Sequence, residues 1–156
     1  SDLPPSTPTP CQTTLSTKLT ATSSYEDKLL MAYCLVLKRE VDIDGLKYYN
    51  LKNYNETHSQ KLNLVDLFTQ LFTSVEARGE SLKGDSIDNA DVSEFVDALY
   101  LRILNRSTSS DLVGKEYWVD KINSGGITKF AAIREFLFSP EFKTNRGIEM
   151  SEAPIE

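Results

Sequence analysis

The chain has 156 residues, of which 40% are hydrophobic and 26% charged, a composition typical of a globular protein with one or two small cores. Its net charge is −6 and its pI about 4.9. An acidic chain gains no counterion release from a polyanion, which argues against nucleic acid as a partner. No apolar run reaches the roughly 18 residues that a membrane span needs, so no direct membrane insertion is expected.

The first segment, residues 1–22, is rich in Pro, Ser and Thr and is interpreted as a tether or the start of a mature chain. Its opening, SDLPPSTPTP, lacks the charged and apolar regions of a signal peptide. The two cysteines are Cys11 in this tether and Cys34 in a predicted helix. A disulfide between them is one alternative, and a buried free thiol at Cys34 is the other.

Two parts of the chain carry the same helical pattern. In the second half, apolar residues recur at i, i+3 and i+4 spacing; they are Val92, Val96, Leu99, Tyr100, Ile103 and Leu104. The equivalent residues 67 positions earlier are Tyr25, Leu29, Ala32, Tyr33, Val36 and Leu37. Arg39 then corresponds to Arg106.

The correspondence continues beyond the first helix. Gly45 and Tyr48-Tyr49 align with Gly114 and Tyr117-Trp118, and Leu67 to Glu76 aligns with Ala132 to Glu141 at an offset of 65. Strand signals are absent. The sequence therefore predicts an all-α fold of two tandem three-helix repeats packed as a helical bundle. The predicted boundaries are 23–79 for the first repeat, 80–90 for a linker, 91–146 for the second repeat and 147–156 for an acidic, flexible tail.

Helix start and stop signals support this division. Ser23 with Glu26, and Asp91 with Glu94, have the spacing of a capping box. Thr128 is a candidate N-cap of the sixth helix. Two further signals are Gly125-Gly126, which ends the fifth helix, and Pro140, which fits the first turn of a short final helix.

The second repeat resembles a known family. The residues that carry the likeness are Tyr100, Leu104, Arg106, Gly114, Tyr117, Trp118, Ser124-Gly125 and Phe136 to Phe142. They resemble a helical domain of unknown function that is widespread in bacterial secreted and surface proteins and is similar to the phycobilisome linker repeat. The first repeat carries a degenerate version, without the Ser-Gly stop. The resemblance implies a compact, non-enzymatic accessory module of an exported protein.

Two aromatic pairs are the candidate binding residues, Tyr48 with Tyr49 and Tyr117 with Trp118. Neighbouring helical residues point about 100° apart, so at most one ring of each pair can be centrally buried. Either the outward rings form a contact surface or all four side chains anchor the core.

Two arginines are interpreted as structural. Arg106 is expected to pair with Glu141 or Asp111, and Arg39 with Glu76 or Asp42. The recurrence of Arg and Glu in both repeats favours a pair that holds each repeat together over a binding role.

The candidate catalytic and metal-binding residues do not match the known motifs for these functions. The stretch "EVDIDG" resembles the start of an EF-hand loop, but position 12 is Leu51 where a glutamate is needed. His58 is the single histidine and has no second ligand or catalytic partner in a known motif. No enzyme activity, cofactor or metal is therefore expected.

These observations favour a non-catalytic, extracytoplasmic module, whether secreted, periplasmic or on the cell surface, and attached through its N-terminal segment. The expected function is protein–protein contact or surface assembly, through a protein partner or self-association. A carbohydrate-binding module, with a glycan as ligand, is the alternative, and a small hydrolase is a third candidate.

Overall fold

The computed structural model describes residues 10–20, 23, 25–41, 64–74 and 90–147. Every regular element in these ranges is a helix, which confirms the all-α prediction. In chain order they are α1 (Pro10–Ser16), α2 (Tyr25–Ala32), π1 (Tyr33–Leu37), α3 (Leu64–Phe72), α4 (Val92–Leu99), π2 (Tyr100–Leu104), a 3-10 turn (Thr108–Ser110), α5 (Leu112–Asn123), α6 (Lys129–Leu137) and α7 (Pro140–Arg146). Within the described ranges, no helix combines the length and apolar character of a membrane span.

Capping side chains explain where several helices begin. The Asp91 carboxylate accepts a hydrogen bond from the Glu94 N–H at 3.0 Å, and the Thr128 hydroxyl accepts one from the Ala131 N–H at 3.0 Å. Both satisfy backbone donors that lack a partner inside the helix, and both confirm predicted caps. Ser23 differs, because its hydroxyl accepts from the Thr20 N–H at 2.9 Å and does not form the predicted capping box.

The first helix of each predicted repeat widens in its last turn. α2 continues into π1 and α4 into π2, so that the final five residues have the i→i+5 hydrogen bonds of a π-helix. Each ends on a non-glycine residue in the left-handed conformation, Lys38 with φ 58° and Asn105 with φ 57°. These elements lie 67 positions apart, the offset that the sequence pattern predicts. The wide turn itself was not predicted, because apolar spacing does not separate one π turn from an α-helix.

The third helices of the two predicted repeats also correspond. α3 and α6 each have nine residues, and their first and last residues lie 65 positions apart. In α6 the residues that face the interior include Ala132, Ile133, Phe136 and Leu137. Their equivalents in α3 are Leu67, Phe68, Leu71 and Phe72, which are all buried as well.

One hydrophobic core joins both predicted repeats. Phe72 of α3 meets Phe95 of α4 edge-to-face with ring centroids 5.7 Å apart, and Phe68 of α3 meets Phe142 of α7 at 5.6 Å. All four rings are at most 1% exposed. Edge-to-face pairs add to the free energy gained by burying the rings, so these contacts hold the two predicted repeats to a common interior.

Polar contacts close the interface between π1 and π2. The Lys38 ammonium group donates to the Leu101 carbonyl oxygen at 2.9 Å and to the Asn105 side-chain oxygen at 3.0 Å. The Arg102 guanidinium group donates in the opposite direction, to the Val36 carbonyl oxygen. Each π-helix thus supplies a cation to a backbone carbonyl of the other. Desolvation lowers the pKa of Lys38 to about 8, with smaller contributions from the charges of Arg102 and Arg146.

The segment predicted to be a tether contains helix α1. Its Cys11 forms a disulfide with Cys34 of π1, which settles the alternative that the sequence left open. After α1, Leu19 is buried, and its N–H donates to the Arg146 carbonyl oxygen at 2.8 Å. The Arg146 guanidinium group donates back to the Leu15 carbonyl oxygen at 3.2 Å. The N-terminal segment is therefore fixed both to the first repeat and to the last helix.

Candidate interaction surface

Three of the residues that carry the family likeness, Tyr100, Arg106 and Glu141, form a polar cluster with Asp111, called here the Arg106 cluster. Arg106 binds Glu141 through two hydrogen bonds of 2.7 and 2.9 Å, and its guanidinium carbon lies 4.9 Å from the centre of the Tyr100 ring. This confirms the predicted pair with Glu141, and Asp111 lies further off at 3.9 Å. The bond to Glu141 raises the pKa of Arg106, so the arginine stays charged and joins π2 to α7.

Asp111 has two acceptor roles in this cluster. One carboxylate oxygen accepts from the Tyr100 hydroxyl at 2.8 Å, and the other caps α5 by accepting from the Gly114 N–H at 3.0 Å. The hydrogen bond from Tyr100, followed by that from Gly114, lowers the pKa of Asp111. Burial, followed by the hydrogen bond to Asp111, raises the pKa of Tyr100 to about 12. The pair is therefore a neutral phenol and an ionised carboxylate at neutral pH.

Gly114 is required by the close approach of this cluster to α5. A Cβ atom at Gly114 would lie 2.5 Å from the Tyr100 hydroxyl oxygen and would overlap a carboxylate oxygen of Asp111. Tyr100, Asp111 and Gly114 therefore fit one another physically. The polar groups of the cluster thus serve this packing.

In the first predicted repeat, Arg39 lies over the Tyr33 ring at 5.3 Å and donates to the Glu40 carbonyl oxygen at 3.0 Å. This matches the position of Arg106 over Tyr100. The predicted carboxylate partners of Arg39, Glu76 and Asp42, lie outside the described residues, as do the candidate binding residues Tyr48 and Tyr49.

Helix α5 presents one side to the core and the other to solvent. Trp118 is half-buried, and its ring packs against Phe136 of α6 with centroids 5.0 Å apart. Val119 and Ile122 pack on the core beside it. No residue of α5 is fully buried, so this helix lies on the surface of the molecule and Trp118 is its main anchor.

The outward side of α5 carries an apolar strip. Val113 is 84% exposed, Leu112 67% and Tyr117 55%. Two exposed carboxylates, Glu116 and Asp120, lie on the same side of the helix. These five residues are called the α5 face. The sequence singled out Tyr117, whereas Leu112 and Val113 were missed because two apolar residues at the start of a helix are ordinarily core residues.

A second strip lies on the outward side of α6. Phe130 is 46% exposed and Phe138 42%. Arg134 is also exposed, and its guanidinium carbon lies 5.1 Å from the centre of the Phe138 ring. The three residues are four positions apart, so they follow one line along the helix. They are called the α6 face, and sequence reasoning did not identify them.

The described residues hold no cluster of three or more His, Cys, Asp or Glu side chains that could bind a metal ion. Both carboxylates of the Arg106 cluster accept hydrogen bonds, Asp111 from Tyr100 and Glu141 from Arg106. His58, the single histidine, lies outside the described residues.

Residues 77–146 match the family of a domain of unknown function, DUF4214. The match covers the predicted linker and the second repeat, and includes the whole Arg106 cluster and both outward faces. It supports the prediction that this part of the chain is similar to a domain of unknown function. No curated protein matches the chain.

Proposed function

We propose that the chain is a non-catalytic, exported helical module that mediates protein–protein contact. The observation that carries this proposal is the α5 face, where three apolar side chains are more than half exposed on one side of a single helix. A soluble surface normally has apolar residues scattered singly, and a grouped set with a polar rim is typical of an interaction site. Trp118 and the Arg106 cluster hold the helix from behind, so the face is rigid before a partner binds.

The two-repeat organisation is part of the same proposal. It is supported by the matching positions of π1 and π2, by their left-handed end residues, and by arginines placed over equivalent tyrosines. Duplication of one block accounts for these correspondences together, since neither a π turn nor a left-handed lysine is a common way to end a helix.

An extracytoplasmic location is supported by the disulfide between Cys11 and Cys34. Disulfides of this kind persist in oxidising compartments and are rare in the reducing cytosol. The resemblance to domains of bacterial secreted and surface proteins points the same way.

The proposal is tested with the variant Val113→Glu, which places a charge in the middle of the α5 face. Immobilised wild-type chain is expected to retain a protein partner from an extracytoplasmic extract of the source cells, and the variant to lose that partner. Thr13→Glu, an exposed position on α1, is the matched control and should retain it.

Far-UV circular dichroism shows whether both variants keep their helix content. Equal capture by the wild type and by Val113→Glu would contradict the proposal, and so would a wild-type chain that captures nothing.

Carbohydrate binding is the second candidate, because the Tyr117 ring is 55% exposed beside the half-buried Trp118. The Lys121 ammonium group lies 5.5 Å from the Tyr117 ring centre and 5.4 Å from that of Trp118, which restricts access to both rings. A glycan array distinguishes the candidates. A signal that Tyr117→Ala abolishes and Val113→Glu leaves intact would favour a sugar ligand over a protein.

A further inference from the structure

We infer that Asn105 carries an N-linked glycan, attached through its side-chain nitrogen. The chain has the pattern Asn105-Arg106-Ser107, in which a hydroxyl residue follows two positions after an asparagine and the residue between them is not proline. This pattern is the acceptor signal for N-linked glycans where it lies on the surface of a secreted chain. The inference rests on the extracytoplasmic location in the proposed function, and it is independent of what binds the α5 face.

The acceptor pattern lies where a helix ends and the chain turns away from it. Asn105 is the left-handed residue that terminates π2, and it is exposed. Ser107 is also exposed and has extended backbone angles, φ −80° and ψ 148°. The pattern therefore occupies a surface turn, where a bulky glycan extends into solvent.

The side-chain amide of Asn105 is held by its oxygen and not by its nitrogen. Oδ1 accepts a hydrogen bond from the Lys38 ammonium group at 3.0 Å. Within the described ranges, no group accepts a hydrogen bond from Nδ2. An N-linked glycan replaces one hydrogen of Nδ2 and leaves the carbonyl oxygen in place. The modified side chain therefore keeps its contact with Lys38.

The first predicted repeat shows that the backbone does not require this asparagine. At the offset of 67, Asn105 corresponds to Lys38 and Ser107 to Glu40. Lys38 has the same left-handed conformation, with φ 58° against 57° for Asn105. Both residues that define the acceptor pattern thus differ from their equivalents, although the turn has the same backbone conformation at its first residue.

The disulfide between Cys11 and Cys34 is an independent observation in favour of the modification. Disulfides persist in oxidising compartments outside the cytosol, and N-linked glycans are added to chains that are exported. A chain that acquires this disulfide is therefore exposed to conditions in which Asn105 is a substrate.

The reaction needs a second substrate, an oligosaccharide joined through its anomeric carbon to a polyisoprenoid diphosphate. Nδ2 of Asn105 forms a bond to that carbon, and the bond from the carbon to the diphosphate oxygen breaks. The lipid diphosphate leaves with the bonding electrons, and Nδ2 gives one proton to a base of the transferase. Nothing is oxidised or reduced.

A second asparagine provides an internal control. Asn123 is exposed at the last position of α5, but Ser124-Gly125 follows it, so no hydroxyl residue lies two positions later. Of the asparagines in the described ranges, Asn105 is the one with a complete acceptor pattern. A glycan at Asn105 and none at Asn123 is the expected result.

The test is mass spectrometry of the chain purified from its source cells. A glutamate-specific protease releases Asn105 in the peptide 95–116 and Asn123 in the peptide 117–135. The first peptide should be heavier by a whole number of sugar residues, and the second should have its unmodified mass. An amidase that releases N-linked glycans should convert Asn105 to aspartate, which then contains heavy oxygen if the digestion is done in labelled water.

Variants expressed in the same cells separate the acceptor pattern from folding. Ser107→Ala should abolish the modification and Ser107→Thr should preserve it, because only threonine keeps a hydroxyl group at this position. Asn105→Asp should also abolish it while retaining an oxygen that accepts from Lys38. Asn123→Gln should leave the peptide 95–116 as heavy as in the wild type. Far-UV circular dichroism shows whether each variant keeps its helix content.

An unmodified peptide 95–116 in the wild-type chain would overturn the inference. A modification that persists in Ser107→Ala would overturn it as well, because it would not depend on the acceptor pattern. A thiol assay on the same sample distinguishes this failure from that of the proposed function. An unmodified peptide with Cys11 and Cys34 joined removes the glycan alone, whereas two free thiols remove the support for an extracytoplasmic location too.

Discussion

Gly114 shows how one residue without a side chain determines the local structure. A helix interior normally gains about 0.5–1 kcal/mol when glycine is replaced by alanine. Here the added carbon would meet the Tyr100 hydroxyl and overlap Asp111, which caps the same helix. Replacing Gly114 by alanine should therefore destabilise the folded chain and not stabilise it.

Gly114→Ala is expected to lower the free energy of unfolding by about 1–3 kcal/mol, the usual cost of inserting a carbon into a filled site. Urea unfolding measured by circular dichroism gives this value. Glu116→Ala, at an exposed position of the same helix, should stay within about 0.5 kcal/mol of the wild type. A neutral or stabilising effect of Gly114→Ala would mean that Tyr100, Asp111 and Gly114 are not in close contact.

Tyr100 should make stability depend on pH in the alkaline range. An exposed tyrosine in the unfolded chain ionises near pH 10, whereas the pKa of Tyr100 in the folded chain is about 12. Between these values the unfolded chain binds fewer protons, so the free energy of unfolding falls as pH rises. Tyr100→Phe should have a shallower decline over this range in urea titrations. The same decline in both proteins would contradict this assignment.

Lys38 should have the opposite effect to Tyr100 on the pH dependence of the free energy of unfolding, and at lower pH. Its pKa is lowered to about 8, so the folded chain loses this proton before the unfolded chain does. Between pH 8 and the ordinary lysine pKa of about 10.4, the free energy of unfolding should rise with pH. Lys38→Met removes this rise, although it also removes two hydrogen bonds and so lowers stability at every pH. The diagnostic quantity is therefore the slope between pH 8 and 10 and not the absolute stability.

At the scale of elements, helix α1 depends on the disulfide for its position. It has only seven residues, too few to be stable as an isolated helix. The cysteines are 23 positions apart, and closing a loop of that length in the unfolded chain stabilises the folded state by about 3 kcal/mol.

Reduction of the disulfide should therefore lower the free energy of unfolding by about 3 kcal/mol and increase amide exchange at Leu19 and Gly147. The double variant Cys11→Ser with Cys34→Ser is the control, because its stability should not respond to reductant. The unreduced wild type should have no titratable thiol. Two free thiols in the unreduced protein would rule out the bond.

Part of this element structure could be read from the sequence. The helices, the caps at Asp91 and Thr128, and the pair of Arg106 with Glu141 follow from local patterns and from their recurrence in the two predicted repeats. The π turns did not follow, since a single wide turn leaves apolar spacing nearly unchanged. α1 was missed because Pro, Ser and Thr are weak helix formers, and what holds this helix is a covalent bond distant in sequence.

Local sequence patterns also could not predict the exposed faces. Leu112, Val113 and Phe130 look like core residues in a sequence, and only the tertiary packing shows which side of α5 and α6 Trp118 and Phe136 occupy. From the sequence, each aromatic side chain could be considered as a core or a surface residue. Which side of a helix faces the core could not be predicted.

At the scale of the whole molecule, the shared core should make the two predicted repeats unfold as one cooperative unit. Phe72 belongs to the first and contacts Phe95 of the second, and Trp118 reports on the second alone. Phe72→Ala should cost about 3–5 kcal/mol. It should shift the unfolding transition seen by Trp118 fluorescence to the same extent as the one seen by circular dichroism. An unchanged fluorescence transition would show that the repeats unfold independently.

The hydrogen bond between Leu19 and Arg146 joins the end of the first described segment, residues 10–20, to the end of the last, residues 90–147. A pulling force applied at residues 20 and 147 would therefore act first on this hydrogen bond. The bond would break before the core contacts were loaded. The disulfide would then carry tension from α1 directly into π1.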